Sequence, residues 1–289
     1  MFDWIKSDWA ILQNPEEVNI IKKYAIKSKN ITIFMIVIFY VFLFVMISMY
    51  TIPTLLDIVL PLNETRRHKC PFPIETFYNI EDTTVGHILV TFIATTLGVI
   101  GVSIYSSFLL VMYHACGMLS ITGYILEHAF LGNDQYVSTN KECEMIHKKI
   151  VRSVRVHIRA IKFFENIKDI SEVCYSVQIG LALVLVAADY IKLMLLDKET
   201  LMKNMSNTIA LFLHGIGILF SLFINCHAGQ EVINHSTDVF HKATVAPWYL
   251  ASKRTQKSAI LILMRSQIPC YVGLLKTSMS YATVCYTIQ

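Results

Sequence analysis

The sequence predicts an all-α protein, a polytopic membrane helix bundle with five spans and cytoplasmic helical extensions. Three observations carry that prediction. The chain of 289 residues is 54% hydrophobic and only 16% charged, with a mean hydropathy of +0.51, whereas a soluble domain carries roughly 25% charge. Thr83–Leu126 and Asn204–Gln230 contain no Asp, Glu, Lys or Arg at all, and a span needs only about 20 such residues. Clusters of Lys and Arg then alternate with the apolar stretches in a way that sorts one side of a bilayer from the other.

Taken in order, Met1–Lys29 holds Trp4, Trp9 and a lysine cluster. It lacks the uninterrupted apolar core of a cleavable signal peptide, so insertion is expected to rely on the first span. That span covers about 31–60, with Asp57 near its outer end, and the second covers about 83–126. In the polar segment that follows, Ile146, Ile150, Val154, His157, Ile161 and Phe164 recur at three and four residues, the period of an amphipathic helix. This helix is expected to run straight into the third span, about 165–197, and so to project from the membrane. The fourth span covers about 204–232. A second amphipathic segment follows, in which Ala259, Leu261, Ile262 and Met264 alternate with Lys257, Arg265 and Gln267. Together, 128–164 and 235–268 read as a cytoplasmic packing layer whose apolar faces need partners. The fifth span, about 270–288, contains Lys276. With no internal repeat or Gly/Ser linker, 1–289 reads as one transmembrane domain.

Charge sets the expected orientation. Lys22, Lys23, Lys27 and Lys29 precede the first span, six basic residues from Lys148 to Lys162 precede the third, and Lys253, Arg254, Lys257 and Arg265 precede the fifth. All three groups are expected to be cytoplasmic, placing the N-terminus of this chain inside and its C-terminus outside. Arg66, Arg67 and Lys69 are surrounded by acidic residues and do not vote. Of the sequons at Asn30, Asn63, Asn204 and Asn234, only Asn63 then falls in a loop open to glycosylation.

Reactive chemistry is sparse. Seven cysteines fall at irregular spacing, which supports neither a zinc site nor a disulfide framework. His87, His114 and His214 lie in or near spans without a carboxylate or second histidine at ligand spacing, and no hydrolase, metalloprotease or phosphate-loop motif occurs. His227 and His235, eight residues apart, lack supporting ligands of their own. The expectation is therefore a protein that is not an enzyme, with no catalytic residue, no metal, no cofactor and no nucleic-acid partner. Phe34, Phe39, Tyr40, Phe42, Phe44 and Tyr50, interleaved with Met35, Met46 and Met49, suit either a lipid-facing surface or an adaptable apolar pocket.

The end of the chain is the most distinctive part. Leu263–Pro269 leads into Leu275–Val284, where Thr277, Tyr281, Val284 and Ile288 recur at helical spacing. One face thus alternates hydroxyls with branched aliphatics, as a pore lining does. This signature, together with Asp8-Trp9, Tyr24-Ala25, Pro61-Leu-Asn-Glu-Thr65, His114-Ala-Cys-Gly117, Gly123-Tyr124, His147-Lys-Lys-Ile150, Gly229-Gln230, His235-Ser236, Trp248-Tyr249 and Arg265-Ser-Gln267, resembles the insect odorant receptors of the expanded type found in ants, bees and wasps.

The resemblance implies a seven-span receptor subunit of a ligand-gated cation channel. Such a subunit assembles with a shared coreceptor into a hetero-oligomer, expected to be tetrameric, in the plasma membrane of olfactory sensory neurons, where it acts in sensory transduction. The five spans here correspond to the third to seventh. Thr277, Ser280, Tyr281, Val284 and Ile288 match the pore, with Val284 and Ile288 as its hydrophobic constriction. Met46, Tyr50, His87, Thr91 and Phe212 match the depth of a pocket for small volatile or cuticular apolar odorants, and Trp248, Tyr249 and Arg265 match the cytoplasmic anchor. The chain departs from the pattern in three places. Pro269 and Lys276 are closer together than in the family, which leaves a last helix of about 27 Å against about 30 Å of hydrocarbon. Ser106 and Ser107 stand near the place of a usual acidic residue, and Ile125 stands for a usual Arg. A gustatory-type chemoreceptor and a nonconducting truncated isoform remain alternatives. A transporter would need a charged pair in a broken helix, and a membrane enzyme a reactive cluster.

Overall fold

The protein is represented by a computed structural model that describes residues 2–12, 14–60, 84–130, 140–195 and 205–271. All regular structure among these residues is helical: α1 Phe2–Ile11, α2 Pro15–Val59, α3 Thr84–His128, α4 Asn140–Leu195, α5 Met205–Val245, a 3-10 turn Trp248–Leu250 and α6 Lys253–Ser266. Four of them, α2 to α5, contain segments long and apolar enough to cross a membrane. The fifth expected span begins at Cys270 and, beyond Tyr271, lies outside the described residues.

Local chemistry explains the helix ends. Asn14 caps α2, its Oδ1 accepting the Glu16 N–H at 3.1 Å, and Pro15 occupies the first turn, where a missing N–H costs nothing. α5 closes with the Ala246 N–H on the Lys242 carbonyl at 3.0 Å. Pro247 then disfavours helix at Ala246 and cannot donate. Ser252 caps α6 by accepting the Thr255 N–H at 3.4 Å, while the Thr255 hydroxyl meets His147 Nδ1 at 3.3 Å and ties the cap to α4.

As expected, the amphipathic segment and the third span form one helix. At 56 residues, α4 is about 84 Å long, nearly three times the hydrocarbon thickness. Only its apolar part, from about Val173 onward, fits within a bilayer, so the stretch carrying Lys148, Lys149, Arg152, Arg155, Arg159 and Lys162 lies outside it. The fourth span likewise continues past 232, to Val245.

The residues group into two compact units. The first contains Met1–Lys29, Leu109–Val184 and Phe220–Gln289, and it holds most of the buried core: Leu109, Met112, Tyr113, Leu119 and Ile121 of α3, Ile150, Phe163 and Ile167 of α4, Val232 and Val239 of α5, and Ile262 of α6. Of the residues that predict the α4 stripe, Ile146, Ile150, His157, Ile161 and Phe164 are buried and Val154 is half-buried. On α6 the expectation splits. Ala259 and Ile262 are buried, whereas Leu261 and Met264 expose 60% and 63% of their surface, because a helix of period 3.6 cannot turn four such closely spaced positions to one side.

The second unit contains Asn30–Phe108 and Leu185–Leu219. Val41 and Phe44 of α2, Phe92 and Leu97 of α3, Met194 of α4 and Phe212 of α5 are all well exposed. Apolar surface on this scale has no place in water. It is the expected outer surface of helices dissolved in lipid, where apolar side chains need no protein cover. Inside the unit, α2 and α3 approach closely at Gly98: a Cβ there would fall on the far edge of the Phe39 ring.

Candidate functional site

Polar groups carry the functional reading, because in and beside a bilayer each is costly and must find a partner. In the second unit, Asp189 of α4 and His214 of α5 form a pair, with Oδ2 2.7 Å from Nδ1. The carboxylate fixes the imidazole orientation and leaves Nε2 without a partner among the described residues. Asp189 is largely covered while His214 is about two-fifths exposed, so the pair presents one oriented nitrogen in an otherwise apolar setting. Phe212, the one sequence-expected pocket residue with a described side chain, sits two residues away on α5 and is 58% exposed. Met46 and Tyr50 fall on α2, and His87 and Thr91 on α3, with side chains outside the described ones.

In the first unit, buried and half-buried polar pairs link α1, α2, α3, α4 and α5. Asp8 is 1% exposed and accepts from His114 Nε2 at 2.9 Å and from Arg159 Nε, while Arg159 also reaches the Ser7 hydroxyl. His114 stacks edge-on against Phe163, which in turn meets Trp4 at 6.0 Å. Arg152 donates to the buried Glu17 at 2.6 Å. Lys27 donates to Glu231 at 2.7 Å, and the Tyr24 hydroxyl lies 3.1 Å from His235 Nε2. Two expectations need correction here. His114 and His214 do have carboxylate partners, Asp8 and Asp189, which sequence spacing hid because each pair joins different helices. Glu231 stands between His227 and His235, at 3.9 and 3.7 Å, yet no group of side chains among the described residues could hold a metal ion.

His157, in the part of α4 outside the bilayer, differs from the other histidines. It is 2% exposed, and neither ring nitrogen has a hydrogen-bond partner among the described residues. Burial, with a smaller contribution from the Arg265 charge, pushes its pKa down to about 4. The ring is thus held neutral, as a flat apolar filler.

The expected anchor residues are all described. Trp248 and Tyr249 form the 3-10 turn with rings edge-to-face at 6.3 Å, and Arg265 of α6 donates to Glu165 of α4 at 3.1 Å. The expected pore residues Thr277, Ser280, Tyr281, Val284 and Ile288, and the sequon at Asn63, lie outside the described residues.

Long apolar helices with lipid-suited surfaces, continued by polar extensions and held by cross-helix ion pairs, define a polytopic helical membrane protein. A profile described as 7tm Odorant receptor matches residues 4–287. The chain belongs to that odorant receptor family, whose members are receptors and channels. Its fold is similar to that of the insect olfactory receptor OR5 from Machilis hrabei, solved in complex with eugenol, with a TM-score of 0.58 and 17% identity over 92% of this chain and 68% of that one. Comparison with curated protein sequences gave no match.

Proposed function

We propose that this chain is the odorant-binding subunit of a ligand-gated cation channel, formed with a coreceptor in the plasma membrane of olfactory sensory neurons. The family match over 4–287 is the observation that carries the reading. The basic segments before the first, third and fifth spans face the cytoplasm, the C-terminus is extracellular, and Asn63 is glycosylated. Residues 1–289 form one receptor domain, with 128–164 and 235–268 as its anchor and Trp248, Tyr249 and Arg265 as contacts within it. The pore is lined by Thr277, Ser280, Tyr281, Val284 and Ile288.

Odorants enter an apolar pocket walled by Met46, Tyr50, His87, Thr91 and Phe212. Binding there is mainly burial of apolar surface, and one or two polar groups set orientation. The Asp189–His214 pair supports the same reading, since it supplies an oriented ring nitrogen close to Phe212 in sequence and on the same helix. A small phenol such as eugenol, which the similar olfactory receptor holds, is the first ligand to try.

Coexpression with a coreceptor and recording of odorant-evoked cation current tests the proposal. Current that requires both chains supports it. Delivery to the surface without current over a broad odorant panel overturns the conducting reading and favours a nonconducting subunit, for which the short interval from Pro269 to Lys276 would be the cause.

A further inference from the structure

The first unit carries a groove of about 1250 Å3, lined largely by the segments proposed above as the anchor, to which that reading assigns no ligand. One wall is a continuous face of α4 from Asn140 to Lys162, about 33 Å long. The other walls come from α1 and the start of α6. The lining combines two kinds of surface. Ile11 and Ile158 expose 52% and 45% of their area there, beside Trp4. Arg155, Lys162 and Arg254 are exposed and have no carboxylate partner among the described residues, whereas the neighbouring Arg152, Arg159 and Lys148 are paired with Glu17, Asp8 and Glu144.

The geometry points to a docking site for an amphipathic helix of a partner protein, lying along α4 with apolar residues inward and acidic residues toward Arg155, Lys162 and Arg254. Length and volume select this occupant. A face 33 Å long matches roughly 22 residues of helix, and a lining in which Trp4, Ile11, Val151, Val156 and Ile158 are interleaved with more basic than acidic side chains complements a helix with apolar anchors at i, i+3, i+4 and i+7 and acidic flanks. A single phosphorylated small molecule would fill only a fraction of the volume and leave Ile11 and Ile158 exposed. Lipid headgroups lie too far away. Even measured from residue 165, the start expected for the third span, Arg155 is ten residues and about 15 Å along the axis, while the headgroup layer is only about 5–8 Å deep on each side.

The test uses the full chain in neutral phosphatidylcholine nanodiscs. The probe is a fluorescein-labelled 18-residue helical peptide, with Leu at i, i+3, i+4 and i+7 and Glu on the flanks, read by anisotropy. We expect saturable binding that is at least tenfold tighter than that of a scrambled peptide of the same composition. Arg155→Glu with Arg254→Glu should weaken it at least tenfold, and the milder Arg155→Gln with Arg254→Gln should fall between. Equal binding of the scrambled peptide, or no effect of either double variant in protein that retains its melting temperature, overturns the proposal. So does displacement of the peptide by inositol hexakisphosphate, or by vesicles containing phosphatidylinositol bisphosphate, at concentrations below those of the peptide itself; the first would assign the groove to a small polyanion and the second to lipid. Peptide binding is read without odorant or current, so its failure is separate from failure of the channel reading.

Discussion

Replacing Arg159 with Met isolates the cost of a buried carboxylate. Asp8 is 1% exposed and shares its charge between Arg159 and His114. Removing one partner of a buried ion pair costs about 3–5 kcal/mol, because the remaining charge stays desolvated. Arg159 keeps 31% of its side chain exposed, so part of its charge is hydrated, and His114 still bonds Asp8 after the substitution. Both facts place the expected loss at the low end, about 3 kcal/mol. For a chain of this size that corresponds to a fall of roughly 6–10 °C in Tm. Asp8→Asn combined with Arg159→Met removes both charges, and we expect the pair to cost less than the sum of the singles by about 1–2 kcal/mol. Thermal unfolding in detergent, followed by tryptophan fluorescence, is the assay, since Trp4 packs on Phe163 within the same cluster. A Tm within 2 °C of the parent for Arg159→Met, or strict additivity in the double variant, would refute the reasoning that the pair is buried and coupled.

Other consequences follow from single contacts. Gly98→Ala places a methyl against the Phe39 ring and should cost about 1–2 kcal/mol; Phe39→Leu should restore much of it, and unchanged Tm in Gly98→Ala would contradict the close approach of α2 and α3. His157 has a folded pKa below its unfolded value, so the unfolded chain binds more protons between pH 6.5 and about 4. Stability is therefore present above that window and lost as pH falls through it, by up to about 3 kcal/mol. His157→Phe should flatten that part of the pH profile, and a profile indifferent to the substitution would show that the ring is solvated. Asp189→Asn weakens the orientation of the His214 ring, so we expect the concentration for half-maximal response to phenolic odorants to rise about tenfold while purely aliphatic ones change little. An equal shift for both odorant classes would mean the pair serves packing and not recognition.

Much of the architecture is legible in the sequence because it depends on sums along the chain. Thr83–Leu126 reads as a span since every residue in it tolerates hydrocarbon, whatever the neighbouring helices do. The stripe from Ile146 to Phe164 is equally local, and nearly all of it is buried as its period requires. The α6 stripe is less faithful, since Leu261 and Met264 lie on positions that 3.6-residue periodicity turns away from Ala259 and Ile262. The site was mostly illegible. Asp8 stands out only beside Trp9 and Glu17 gives no signal, because a charged residue near a membrane end is commonplace until its partner is known, whereas Glu231 lies four residues from both His227 and His235, a helical spacing the sequence does show.

By itself the sequence determined the solvent, the number and length of the apolar segments, the distribution of charge among them and the family, all properties that add residue by residue. Only the tertiary structure decided which polar groups meet: Asp8 with His114 and Arg159, 106 and 151 residues away, Glu17 with Arg152 across 135, and Tyr24 with His235 across 211. The physical reason is rotational. A helix turns about 100° per residue, so a small change in the rotation or register of one helix against its neighbour exchanges every partner on the shared face while leaving hydropathy, helix length and net charge untouched.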